Sequence, residues 1–215
     1  MHKQHIFQHI PPIILVTVAL IAGIYFLMAY DPDMERLLTQ MLALSSDVQP
    51  LQEPYLLITY GLLHADLAHM ALNMLWLLIF GTPIARYFSS AAFLSIFLAG
   101  LIAGGIAHFF VIQDTHSVLV GASAGVTALC GAALRFMLKT EFDFREIPLL
   151  LRFFDTRYLV IFAVFVIIDL INAFIQTTLY NNNIAWYAHI AGLFVGAMMM
   201  SISLINRRAL LRDSR

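Results

Sequence analysis

Residues 118–138 read VLVGASAGVTALCGAALRFML, a run of 21 positions that holds one charged residue, Arg135. A hydrocarbon core of about 30 Å is crossed by about 20 largely apolar residues in a helix, so the run has the length and composition of a membrane span. Within it Ser123 is flanked by Gly121 and Gly125 at a four-residue spacing that lets helices approach closely. Gly121 also permits a sharp backbone entry, in which case the helix proper starts near Ser123 and its first amides are free to donate.

Working outward, five further stretches qualify as spans: approximately 11–30, 67–88, 91–112, 158–180 and 184–205. The composition agrees, with 61% apolar and 12% charged residues in a chain of 215. A soluble domain carries about 45–50% and about 25%, and a disordered chain lacks apolar surface, so both classes are excluded. One cysteine, Cys130, allows no internal disulfide, and a formal charge of -1 gives no basic field for nucleic acid. The first apolar run follows Lys3 but has no small-x-small cleavage site after it, and is read as an uncleaved span. The expected fold is therefore an all-α membrane protein, a single domain over 1–215 with six transmembrane helices and a long first outer loop. That loop, Asp31 to Asp66, contains a helix-like run from Met34 to Leu44 expected to lie partly in the interface.

Lys and Arg fix the orientation, because cytoplasmic loops collect them. With the N-terminus inside, Arg36 alone of the 12 falls outside. Both termini are thus expected in the cytoplasm, and the expected location is a multi-pass protein of a bacterial cytoplasmic membrane.

Polar groups within spans are costly and point to function. His69 and Asn73 lie four apart on one helical face; Ser123 lies about 7–8 Å below the outer boundary of its span; His189 has nearly the same depth in the last span. Gly192 and Gly196 follow His189 on its own face. A serine needs an adjacent base to become a nucleophile, and histidine suits that task. Ser123 as nucleophile with His189 as general base makes a dyad for acyl transfer, and His69 and Asn73 supply donors for the oxyanion. Asp66 stands at the mouth, and Asp169, midway along its span, is expected to serve structure, so a dyad without a third member is expected. No metal or cofactor is called for.

In these residues the chain from about Tyr55 to Gly196 resembles the rhomboid intramembrane serine proteases. The matching motifs are the histidine and asparagine four apart, His69 and Asn73; Gly-x-Ser, Gly121 and Ser123; and His-x-x-Gly-x-x-x-Gly, His189, Gly192 and Gly196. The resemblance implies that Ser123 is the nucleophile and His189 the base. His69, Asn73 and the Ser123 amide would then form the oxyanion site, and His64 matches a histidine found in many members. It also implies single-span transmembrane substrates with small residues at the cleaved bond. Three positions depart from the pattern: Ala124 stands where glycine is common, Thr127 where an aromatic often stacks on the histidine, and no Trp-Arg pair occurs near Tyr55 and Leu56.

Other readings of the same residues remain. Ser123 could pack between helices, and His69 and Asn73 could bond across them. A small transporter would line a pathway with the His, Asn and Asp groups at several depths. A catalytically inactive rhomboid-like protein would bind membrane clients. His64, His108 and His116 raise a metal reading, though no HExxH motif accompanies them. Trp186 and Tyr187 read as interfacial anchors.

Overall fold

The computed structural model describes residues 10–45, 52–111, 117–137, 156–180 and 185–213. Helix α1, Pro12–Tyr30, begins with proline at its first position, where no intrahelical amide is needed. It buries Ile14, Ile21 and Met28, one residue every two turns, on a single stripe toward α4. Asp31 ends α1 and caps α2, Pro32–Leu42, its Oδ1 accepting from the amides of Asp33 at 2.9 Å and Met34 at 3.3 Å. Leu37 and Met41 on α2 stay exposed, the pattern expected of a helix lying against an interface.

After α2, Leu44–Ser45 forms a short strand, β1, so the helix-like run ends two residues earlier than its apolarity suggested. A single turn, α3, Leu56–Thr59, leads through a 3-10 turn, Tyr60–Leu62, to α4, Leu67–Tyr87. Helix α5 is Ser90–Val111. Within the expected span 118–138 the helix proper starts late, as the sharp entry at Gly121 allowed. Val118–Leu119 forms strand β2, antiparallel to β1 with Leu44 opposite Leu119, and helix α6 runs only over Ser123–Met137. The cause is Gly121, whose φ of +119° cannot continue a right-handed helix. Helix α7 is Thr156–Tyr180 and α8 is Trp186–Asp213.

Helix α6 is buried all round, with Ala124, Ala128, Leu129, Ala132 and Ala133 inaccessible or nearly so, because α4, α5 and α8 surround it. Small residues set these distances. A Cβ on Gly192 would strike the Ala124 carbonyl, one on Gly196 the Ala128 carbonyl, and one on Gly131 the Leu193 carbonyl, so α6 and α8 meet backbone to backbone. On the other flank, Gly100 and Gly104 of α5 receive Ala128 and Ala124. Ala124, the departure from the family pattern, thus fills the space that Gly104 leaves.

The outer surface carries exposed Leu15, Val16, Phe26, Leu75, Trp76, Ile106 and Phe110, an apolar belt that a bilayer would cover. Helices α1, α4 and α5 are long and apolar enough to cross a membrane, and α7 and α8 contain shorter apolar stretches, Leu159–Ile175 and Trp186–Ser201. The fold is a helical membrane bundle. Residues 138–155, most of the stretch between the expected spans 118–138 and 158–180, lie outside the described residues, as do the expected outer turn at 181–183, His116 and Lys3.

Candidate active site

The segment before α6 is held on both sides. The Gly121 amide donates to the Tyr60 carbonyl at 3.0 Å, and the Ala122 amide donates to His64 Nε2 at 3.4 Å. Tyr60 is itself buried, its hydroxyl donating to the Leu101 carbonyl at 2.7 Å. Since Nε2 accepts, His64 must be neutral, and burial lowers its pKa to about 4, with the neighbouring His69 adding to the effect. The two rings meet edge to face, centroids 5.0 Å apart.

Ser123 is the first residue of α6. The opening amides of that helix have no acceptor within it and carry the positive end of its dipole. Beside them stands His69. Asp66 caps α4 by accepting from the His69 amide at 2.8 Å, which assigns this carboxylate a local structural task. A Cβ on Gly121 would lie 2.7 Å from His69 Cε1 and 2.9 Å from Nε2, so only glycine lets this imidazole close against the turn. Asn73, one turn on, is buried and donates from Nδ2 to the His69 carbonyl at 2.8 Å, leaving its second amide hydrogen for another acceptor.

His189 lies in the first turn of α8, one turn before Gly192. The backbone contact of Gly192 with Ala124 brings the histidine alongside the start of α6, and Ser123 Oγ and His189 Nε2 are 2.7 Å apart. The structure therefore joins the two residues that sequence placed at one depth on separate helices.

The expectation that no carboxylate orients His189 is overturned. Asp169 Oδ1 lies 2.8 Å from His189 Nδ1. Counting residues fixes a position along a helix's own axis, not its height beside a neighbour. Helix α7 has 25 residues, about 37 Å of rise against a core of about 30 Å, so its midpoint need not lie at mid-membrane. Asn172, a possible partner for Asp169 one turn on, is exposed. With Nδ1 donating to the carboxylate, Nε2 is free to accept the Ser123 proton, a tautomer assigned from the bonding pattern. Thr127, where the resemblance led to an aromatic, donates to the Ala124 carbonyl at 3.0 Å.

Of the other histidines, His108 is buried on α5 and its Nδ1 lies 2.7 Å from the Tyr187 hydroxyl, so Tyr187 is tied to the bundle as well as placed at a helix start. Among the described residues no three His, Cys, Asp or Glu side chains are grouped to hold a metal. Sequence reasoning missed the tasks of Tyr60 and Asp169. Tyr60 carried no signal beyond its neighbour Gly61, whereas a lone carboxylate in an apolar helix was itself the signal for Asp169.

A buried helix start presenting serine to histidine, within a bundle covered by apolar surface, defines a polytopic membrane protein with a serine–histidine site. Its residues 51–206 match the Rhomboid domain. Over 217 aligned residues the chain is 30% identical to mouse Rhomboid-related protein 2, covering 95% of this chain and 68% of that protein. It is 30% identical to the Arabidopsis thaliana RHOMBOID-like protein 12, mitochondrial, over 66% of this chain and 44% of the relative. Similarity to Rhomboid protease GluP of Bacillus subtilis is 34% identity over 65% of this chain and 24% of that protein. The chain thus spans less than half the length of the latter two. The protein belongs to the rhomboid family, and it is an integral membrane protein.

Proposed function

We propose that the protein is an intramembrane serine endopeptidase that cleaves single-span transmembrane proteins near the outer membrane face. The observation that carries this reading is the 2.7 Å contact of Ser123 Oγ with His189 Nε2 at the start of α6. Ser123 Oγ attacks the scissile carbonyl carbon as its proton passes to Nε2, and the oxyanion takes the Ser123 amide with donors from His69 and Asn73. The intermediate collapses, the C–N bond breaks, and Nε2 returns its proton to the leaving amine. Water then attacks the acyl-enzyme, giving a proton to Nε2, and the second collapse frees the carboxylic acid and restores Ser123.

The reaction needs water below the membrane surface. Helix α6 has 15 residues, about 22 Å of rise, so in a core of about 30 Å its start lies some 7–8 Å down and leaves room for a cavity open to the outside. In this reading the chain is one domain that crosses six times with both termini in the cytoplasm of a bacterial cytoplasmic membrane, supported by the one-sided distribution of Lys and Arg. A substrate helix has its carbonyls internally bonded, so clients with Gly, Pro or other weak helix formers near the outer end unwind to the site most readily.

A fluorophosphonate reagent tests the nucleophile directly. Wild-type protein in lipid vesicles is expected to be labelled on Ser123, and Ser123→Ala and His189→Ala are expected to lose both label and cleavage. The double variant should be no worse than either single one, as for groups acting as a unit. Cleavage persisting in Ser123→Ala would remove the reading, and inhibition of that residual cleavage by a chelator would favour metal chemistry. Folded wild-type protein that binds substrate helices without cutting them would favour the client-binding alternative.

A further inference from the structure

Asp169 is the one described acidic side chain bonded to the histidine of the site, and it arrives on a different helix from either reacting residue. Most of α7 around it is apolar and outward-facing, including Ile167, Ile168, Ile171 and Phe174. A carboxylate on such a helix is costly, and it is retained where a partner compensates. His189 is that partner. Oδ1 takes the Nδ1 contact at 2.8 Å, while Oδ2 is buried with no partner among the described residues.

The groups facing His189 can be named helix by helix. Helix α6 offers the Ser123 hydroxyl and α7 offers Asp169, while His69 of α4 is near enough to interact electrostatically. On α8 itself, Tyr187 is bonded to His108 of α5. Each ring nitrogen of His189 thus has one partner in this set, Ser123 at Nε2 and Asp169 at Nδ1. The second partner decides which nitrogen carries the proton at rest.

Resting on the proposed serine chemistry, we infer that Asp169 is a positioning residue that makes the Ser123–His189 pair a triad. Its carboxylate accepts from Nδ1–H, which keeps Nε2 unprotonated and aimed at Ser123 Oγ. When the serine proton reaches Nε2, the ring becomes an imidazolium whose charge Asp169 balances. The carboxylate takes up no proton, Nδ1 keeps its own throughout, and the Nε2 proton leaves with the amine. Asp169 acts through His189 and touches no reacting atom. Since Asp169 reaches His189 from α7, reactivity of Ser123 then depends on α7 being docked against α8.

Two measurements on full-length protein in lipid nanodiscs test this. In Asp169→Asn, which keeps shape and removes charge, kcat is expected to fall roughly 10²- to 10⁴-fold with KM changed less than about threefold. A fastener role would instead change KM or the unfolding midpoint and leave kcat per folded molecule intact, which would overturn the inference. The second readout needs no substrate. In ¹⁵N-histidine-labelled wild type, a far-downfield proton on His189 Nδ1 is expected, absent from both Asp169→Asn and His189→Ala. Its absence from wild type, or its persistence in Asp169→Asn, would overturn the inference even if neither variant folds well enough for kinetics. Normal cleavage by Asp169→Asn beside inactive Ser123→Ala would remove the triad and leave the protease standing. Normal cleavage by Ser123→Ala would remove both.

Discussion

His189 receives Ser123 through the seam between α6 and α8, and Asp169 through α7, and the two are built on opposite principles. At the seam, Gly192, Gly196 and Gly131 bring carbonyls of the facing helix to where side chains would otherwise begin, so the distance from serine to histidine is set by backbone. The loop ahead of α6 is tied down just as firmly by Tyr60 and His64. Helix α7 has Ala173 as its buried apolar side chain among those described, and its link to the site is one polar contact. Ser123 and His189 are thus preset by packing, whereas Asp169 is held by the bond it makes.

That contrast can be broken at the seam first. Gly196→Val would drive side-chain carbons into the Ala128 carbonyl and force the helices apart, at a cost of about 3 kcal/mol or more. Unfolding titrations in mixed micelles should show it, with cleavage lost in the fraction that stays folded because the Ser123–His189 geometry has widened. Native stability and normal cleavage in this variant would contradict the close-packed seam.

The tie at His64 should show as a pH effect of up to about 3 kcal/mol. Its folded pKa of about 4 lies below the ordinary 6.5, so its contribution is complete above pH 6.5 and is lost as pH falls toward 4, where the folded state must also protonate. Protonated His64 can no longer accept from the Ala122 amide. Unfolding midpoints of wild type should therefore fall more steeply over that window than those of His64→Gln, whose amide oxygen can still accept. Parallel curves would remove this account of the loop.

The smallest effect belongs to α7. Ile168 is 60% exposed on its outward face, so Ile168→Ala should shift stability by less than about 0.5 kcal/mol. A loss of several kcal/mol would mean that α7 is packed as tightly as α8.

Long apolar runs made α1, α4 and α5 legible in the sequence to within a residue or two, because a membrane span is specified by length and composition alone. The strand at 118–119 was not legible. Val118 and Leu119 are as apolar as a helix start; Gly121 keeps them out of α6, and what makes them a strand is pairing with Leu44–Ser45, some 74 residues away. Ser123 and His189 could be placed together because their helices run the same way from nearby boundaries, so counting gave the right relative height. Asp169 failed the same count because α7, at 25 residues, exceeds the core thickness, so a position along it does not fix a height beside α8. Ala124, which stands where glycine is common, has its methyl received by Gly104 of α5, a helix that no local motif linked to it.

The central claim, that Ser123 and His189 form a working hydrolase inside the membrane, is tested most directly by mapping cuts. Purified protein in vesicles would be incubated with a panel of single-span helices bearing Gly or Pro near their outer ends, and the products sized by mass spectrometry. The expected result is cleavage beside small residues near the outer boundary by wild type and none by Ser123→Ala. Cuts confined to the cytoplasmic end, or an intact panel when a related active protease cleaves it, would contradict the account.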